Sequence, residues 1–184
     1  ALADLDAQGH DAALTLMVDM YPDTELSAAD LSVGAPFDLA RWHDRAPLAA
    51  WHLGSGSFSN GPTRVSALRH RLIPDSAPNS YTSQKVAVLR YQPWVRLSEG
   101  LHYAANLRVA PEPVCFAHFK YHAGFSQKVQ VEVARKQHFN GAGEYRKYLD
   151  LLRESQGCLH DVDRSVPFGD ARTLIAQAWG RADS

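Results

Sequence analysis

Cysteine is scarce: the 184 residues hold only Cys115 and Cys158. The pair is too widely spaced for a zinc ribbon and too small in number for a disulfide scaffold. Both fit a reduced, cytoplasmic setting, as buried small residues rather than nucleophiles. An excess of one charge is also missing, since 19 Lys and Arg stand against 20 Asp and Glu for a formal net charge of -1. Nucleic-acid binding draws on many Lys and Arg contacts that release counterions, so a nucleic-acid partner is not expected. No stretch approaches the roughly 18 consecutive apolar residues of a spanning helix, and the N-terminus lacks the order of a signal peptide. We therefore expect a soluble protein without a membrane span. Internal repeats and low-complexity segments are absent. There is no initiating methionine either, and the opening ALADLDAQGH already reads as a helix, which suggests a cut chain, a removed tag or a further segment before Ala1.

What is present suits one core. With 45% hydrophobic and 21% charged residues, residues 1–184 read as a single domain. Ala1 to Gln8 places Leu2 and Leu5 on one side and Asp4 and Asp6 on the other, with Gly9 as a C-terminal stop. Ala12 to Met20, AALTLMVDM, is a nearly continuous apolar run that fits a buried strand, with Asp19 where the chain leaves the sheet. Residues 22–62 are rich in Pro, Asp, Ser and Gly and read as functional loop or disorder, with a helical turn in DLARWHDR. Gly54 to Gly61, GSGSFSNG, lacks the Lys-Ser/Thr ending of a phosphate loop and reads as a flexible turn.

Further along, Lys85 to Tyr91, Leu97 to Ala105 and Val114 to Phe119 have the content of strands, with Pro93, Pro111 and Pro113 punctuating the gaps. Ser126 to Gln137 has helical spacing, Val129 and Val133 on one face and Ser126 as N-cap. Gly141 and Gly143 separate it from Glu144 to Glu154, whose apolar stripe is Tyr145, Tyr148, Leu149 and Leu152. A last helix covers Asp170 to Trp179. Strands with long loops and a helical tail indicate an α/β class.

The residues able to do chemistry are mostly histidines. His118 and His122 stand four apart in a segment that begins as a strand, so helical metal geometry is not implied, and HFKYH lacks the glutamate of a zincin helix. His102, in SEGLHY, falls on an expected strand near Glu99. His138, in QHFNG, falls at a helix C-terminus, which favours partial positive charge. Each of them also reads plainly as a hydrogen-bonded packing residue.

Taken together, MVDMYPD (17–23), KVAVLRY (85–91), SEGLHY (98–103), CFAHFKY (115–121) and ARKQHFNGAGEYRKYL (134–149) resemble the C-terminal half of bacterial family 2 glycosyltransferases. The likeness spans about residues 10–180, is specific over 118–149 and looser over 24–84. Phe139 replaces the group's usual tryptophan and keeps an aromatic wall. The resemblance implies the C-terminal portion of a GT-A-like mixed sheet with flanking helices, and transfer of a sugar from a nucleotide-sugar donor to a saccharide or lipid-linked acceptor. It implies manganese or magnesium, which offsets charge on the departing diphosphate, and a carboxylate general base. The acidic Asp-x-Asp motif and the nucleotide-binding half would precede Ala1, in the same or another chain, so this chain alone is expected to be inactive. Under the resemblance the metal candidates are His102 and then His118, and the catalytic candidates are Glu99 and Asp19. Arg64, Lys120, His138 and Asn140 are the substrate-binding candidates. A detached module that binds saccharide or scaffolds a partner without catalysis is the alternative.

Overall fold

A computed structural model describes residues 2–45, 50–51, 63–74, 81–98, 101–136 and 139–179. Among them are six α-helices, one three-stranded mixed sheet and three two-stranded sheets, an α/β arrangement as expected. No helix among the described residues is long and apolar enough to cross a membrane. The chain divides into two compact units, one of Ala1–Val18, Ala46–Phe116 and Asp170–Ser184, the other of Asp19–Arg45 and Ala117–Gly169.

In the first unit, helix α1 (Leu2–Ala7) stops where expected. The N–H groups of Gly9 and His10 fold back onto the carbonyls of Asp6 and Leu5 at 2.9 and 2.8 Å, and Gly9 takes φ +74°, a conformation open to glycine at little cost. Strand β1 (Ala12–Asp19) is buried along nearly its whole length, in keeping with its nearly continuous apolar run. On one side it pairs antiparallel with β5 (Gln84–Leu89), Ala12 opposite Leu89 and Leu16 opposite Gln84, with an irregularity between Ala13 and Thr15. On its other side lies β8 (Val109–His118). The Asp11 N–H donates to the Arg108 carbonyl at 2.8 Å and the Met20 N–H to the His118 carbonyl at 3.0 Å, so β1 and β8 run in the same direction.

Strand β8 corrects one expectation. Pro111 and Pro113, read as punctuation, lie inside it. The Arg108 and His118 carbonyls point at β1, and in a strand alternate residues point the same way. Residues 111 and 113 therefore direct their backbone nitrogens to the outer edge, where proline removes no ladder bond.

Ala12, Val86 and Ala104 form a buried cluster, with Leu14, Leu89, Leu107 and Val109 packed against it. Two-residue strands β3 (Ala50–Trp51) and β4 (Thr63–Arg64) pair antiparallel. Helix α3 (Ala67–Leu72) is capped by Ser66, whose Oγ accepts the Arg69 N–H at 3.2 Å. The strand expected over Leu97 to Ala105 is instead a reversal. β6 (Arg96–Leu97) pairs antiparallel with β7 (Ala104–Ala105), and Leu101 takes φ 60° between them. Helix α6 (Ala171–Trp179) supplies the helical tail, and the Asp170 carboxylate caps it by accepting the Thr173 N–H at 2.8 Å.

In the second unit, a 3-10 turn (Leu26–Ala28), helix α2 (Pro36–Leu39) and strand β2 (Trp42–Asp44) occupy a stretch read as loop. The expected helical turn in DLARWHDR is only partly correct. The helix ends at Leu39, and Trp42 to Asp44 pair antiparallel with β9 (Ser165–Pro167). Helix α4 (Ala123–Arg135) begins three residues earlier than expected: His122, not Ser126, is its N-cap, with Nδ1 accepting the Gly124 N–H at 3.2 Å. It ends at Lys136, in the left-handed region at φ 52°. Helix α5 (Phe139–Glu154) includes Gly141 and Gly143 rather than following them. Tyr145 and Tyr148 are buried on its inner face, as the stripe indicated.

Candidate functional site

Asp19 closes β1 and His118 closes β8. Because these strands are parallel neighbours, the two residues stand together at the strands' carboxyl ends, where ligand sites of open α/β sheets gather. The His118 Nδ1–H donates to Asp19 Oδ1 at 2.7 Å. The Asp19 side chain is 1% exposed and that of His118 32%. A carboxylate so deeply buried is costly unless it is paired and hydrogen-bonded, and the imidazole helps to meet that need. The bond also sets the orientation of the ring, with Nδ1 toward Asp19. The arrangement is therefore a buried carboxylate orienting an accessible imidazole, able to take a proton from a hydroxyl or to donate a lone pair to a metal ion.

Lys120 follows two residues later, and its side chain is 13% exposed. Its ammonium lies 3.4 Å from Glu144 Oε1 and 3.4 Å from the Tyr148 hydroxyl. It also sits over four rings, those of Tyr148 at 4.4 Å and Phe125, Tyr145 and Tyr121 at 5.6 to 5.8 Å. Attraction of a cation to ring faces together with a carboxylate stabilises a lysine that water hardly reaches. Nearer the start of the unit, the buried Tyr21 hydroxyl donates to Asp44 Oδ1 at 2.6 Å and lies 2.9 Å from Ser165 Oγ, which accepts the Asp161 N–H at 2.9 Å.

The first unit brings Arg64 and His102 together through Gln84. The Arg64 N–H donates to Gln84 Oε1 at 3.1 Å, and His102 Nδ1 donates to the Gln84 carbonyl at 2.8 Å. His102 lies in the reversal between β6 and β7, not on a strand. Glu99 and His138 lie outside the described residues, as does the segment Gly54 to Gly61. Asn140 falls in the first turn of α5, with its side chain outside the described set. Neither cysteine is in a disulfide, and both are half-buried.

Two histidines carry a pH signature. Burial lowers the pKa of His43, which is 2% exposed, although the Asp44 carbonyl and carboxylate partly oppose it. Burial also lowers that of His102, with the nearby charges of Lys85 and Arg69 acting in the same direction and the Gln84 carbonyl opposing. In the unfolded chain both imidazoles take up protons as pH falls through about 6.5. In the folded chain they do so only at lower pH. The unfolded state then binds more protons, so their contribution to stability is full above about pH 6.5 and is lost as pH falls through the folded values. The urea midpoint is expected to drop between about pH 7.5 and 5.5, and His43→Gln to flatten that drop. A midpoint constant over this range would contradict the assignment.

Sequence reasoning named Asp19 and His118 in separate roles and missed their pairing. The available signal was that both end strands of one sheet, but only the register of β1 against β8 makes them neighbours. The aromatic surround of Lys120 was likewise hidden, because it needs α5 to bring Tyr145 and Tyr148 against Lys120. Among the described residues, no group of three His, Cys, Asp or Glu side chains is arranged to hold a metal ion. Compared with known proteins, the chain matches no family model, no curated protein and no solved structure.

Proposed function

We propose that this chain is the acceptor-side portion of a GT-A-like glycosyltransferase, which moves a sugar from a nucleotide-sugar donor to a saccharide or lipid-linked acceptor. A nucleotide-binding half, in the same or another chain, completes it. The observation that carries the reading is the Asp19–His118 pair at the ends of two parallel strands, supported by the resemblance of residues 118–149 to family 2 enzymes.

In this reading the acceptor hydroxyl donates its hydrogen bond to His118 Nε2. As its oxygen bonds to the anomeric carbon of the donor sugar, the bond from that carbon to the diphosphate breaks, and the hydroxyl proton passes to Nε2. Asp19, too buried to meet a substrate, stabilises the imidazolium through Nδ1–H and so acts as a positioning residue. In the second unit Lys120 is a candidate for phosphate oxygens, although it would have to exchange its contact with Glu144; Arg64, in the first unit, is a candidate on the resemblance alone. Manganese or magnesium, when bound, offsets the negative charge on the departing diphosphate. His102, with Nδ1 held by a carbonyl, has the second contact that metal-ligating imidazoles usually have. His118 Nε2 serves either as base or as ligand, since it has one lone pair.

The test is release of nucleoside diphosphate by the complete product of the native gene, offered a panel of nucleotide sugars with saccharide acceptors and manganese. Acceptor-stimulated release is expected, and His102→Ala is expected to raise the manganese concentration needed for half-maximal turnover about tenfold or more. Release with no donor in the panel would overturn the transferase reading and leave a saccharide-binding module. An unchanged manganese requirement would remove His102 from the metal.

A further inference from the structure

Between β5 and β6, residues 91–94 read YQPW, and the two aromatic side chains are turned to solvent, Tyr91 64% and Trp94 62% exposed. Single exposed apolar residues are ordinary, but two large rings three residues apart on one short turn are not. The turn is firmly held. The Val95 N–H donates to the Gln92 carbonyl at 2.9 Å, Pro93 fixes its own φ at the second position, and Val95 is 6% exposed. The Asn106 side-chain amide donates to the Trp94 carbonyl at 2.8 Å. The rings are therefore displayed on a braced backbone, which lowers the ordering cost of any ligand that stacks on them.

The chemistry around the rings indicates the ligand. Of the three arginines near this stretch, Arg90 pairs with Asp6 and Arg108 with Asp11 at 3.0 Å, and the exposed Arg96 follows two residues after Trp94. That leaves little net positive charge to attract an anionic lipid surface. What remains is two exposed aromatic rings with neutral polar residues on the same stretch, Gln92 between them in the chain and Asn106, whose amide donates to the Trp94 carbonyl. A pyranose ring has a complementary form, an apolar C–H face bounded by hydroxyls, and rings with one apolar face and a wet rim suit it.

We infer that Tyr91 and Trp94 form a saccharide-binding platform for a neutral oligosaccharide. The platform belongs to the first unit and the Asp19–His118 pair to the second, and the inference does not depend on transferase activity.

The test is isothermal titration calorimetry of the full chain with cellohexaose, chitohexaose and maltohexaose, alongside co-sedimentation with vesicles of phosphatidylcholine and phosphatidylglycerol. At least one hexaose is expected to bind. Trp94→Ala and Tyr91→Ala are expected to weaken it about tenfold or more, with circular dichroism unchanged, and Trp94→Phe to weaken it less than about threefold. Asp19→Asn is expected to leave hexaose binding intact, which separates failure of the platform from failure of the catalytic reading. Absence of binding by all three sugars, or equal binding by Trp94→Ala, would overturn the inference. So would co-sedimentation of the wild type with vesicles that is lost in Trp94→Ala, because the rings would then serve a membrane.

Discussion

Under the proposed transferase reading, replacing Asp19 by Asn, with His118 untouched, is expected to lower sugar-transfer turnover by about 10²- to 10⁴-fold. The change preserves shape and leaves an amide oxygen able to accept the Nδ1–H. It removes the negative charge that stabilises the imidazolium formed when Nε2 takes up the acceptor proton. Because the Asp19 side chain is 1% exposed, water cannot replace that charge, and electrostatic effects are larger in such surroundings than at a surface. The acceptor KM is expected to stay within about threefold, since Asp19 does not reach solvent. A purely structural role would instead lower the thermal midpoint with little effect on turnover of the folded fraction. Turnover and circular dichroism measured on the same preparation separate the two.

The largest expected loss of stability belongs to Tyr148→Ala. Tyr148 is fully buried. Its ring meets those of Phe125, Tyr121 and Tyr145 at centroid distances of 5.4, 6.2 and 6.3 Å. Its hydroxyl lies 3.2 Å from that of Tyr121 and accepts from Lys120. Truncation removes the shared surface among four rings and the nearest ring beneath the Lys120 ammonium at once. A loss of about 3 to 5 kcal/mol follows from large-to-small substitution in a packed core, a large share of the 5 to 15 kcal/mol that typically holds a domain. Tyr148→Phe keeps the ring and is expected to cost only about 0.5 to 1.5 kcal/mol. Urea denaturation of the three proteins measures both differences. A Tyr148→Ala cost below about 1 kcal/mol would show that the cluster does not carry the second unit.

Elements whose signals are local were legible in the amino-acid pattern. β1 follows from a nearly continuous apolar run and α1 from its glycine stop. The stripe on α5 was visible for the same reason. Elements whose signals come from the rest of the fold were not. Prolines 111 and 113 look like breakers until β8 is known to be an edge strand with their nitrogens facing outward. Trp42 to Asp44 look like loop until Ser165 to Pro167 arrive from more than a hundred residues away. The start of α4 was misplaced because His122, an uncommon cap, does the work assigned to Ser126. The candidate site shows the same division: residue types named Asp19, His118 and Lys120, while register and helix return made the first two a pair and enclosed the third.

The most direct test of the proposed transferase is turnover of His118→Ala in the complete gene product, with and without added imidazole, on whichever donor and acceptor support turnover of the wild type. We predict turnover of the folded protein reduced at least about a hundredfold, a lowered thermal midpoint because the buried Asp19 loses its imidazole partner, and partial recovery of turnover as free imidazole occupies the vacated space and takes the acceptor proton. Wild-type turnover in the variant would contradict it.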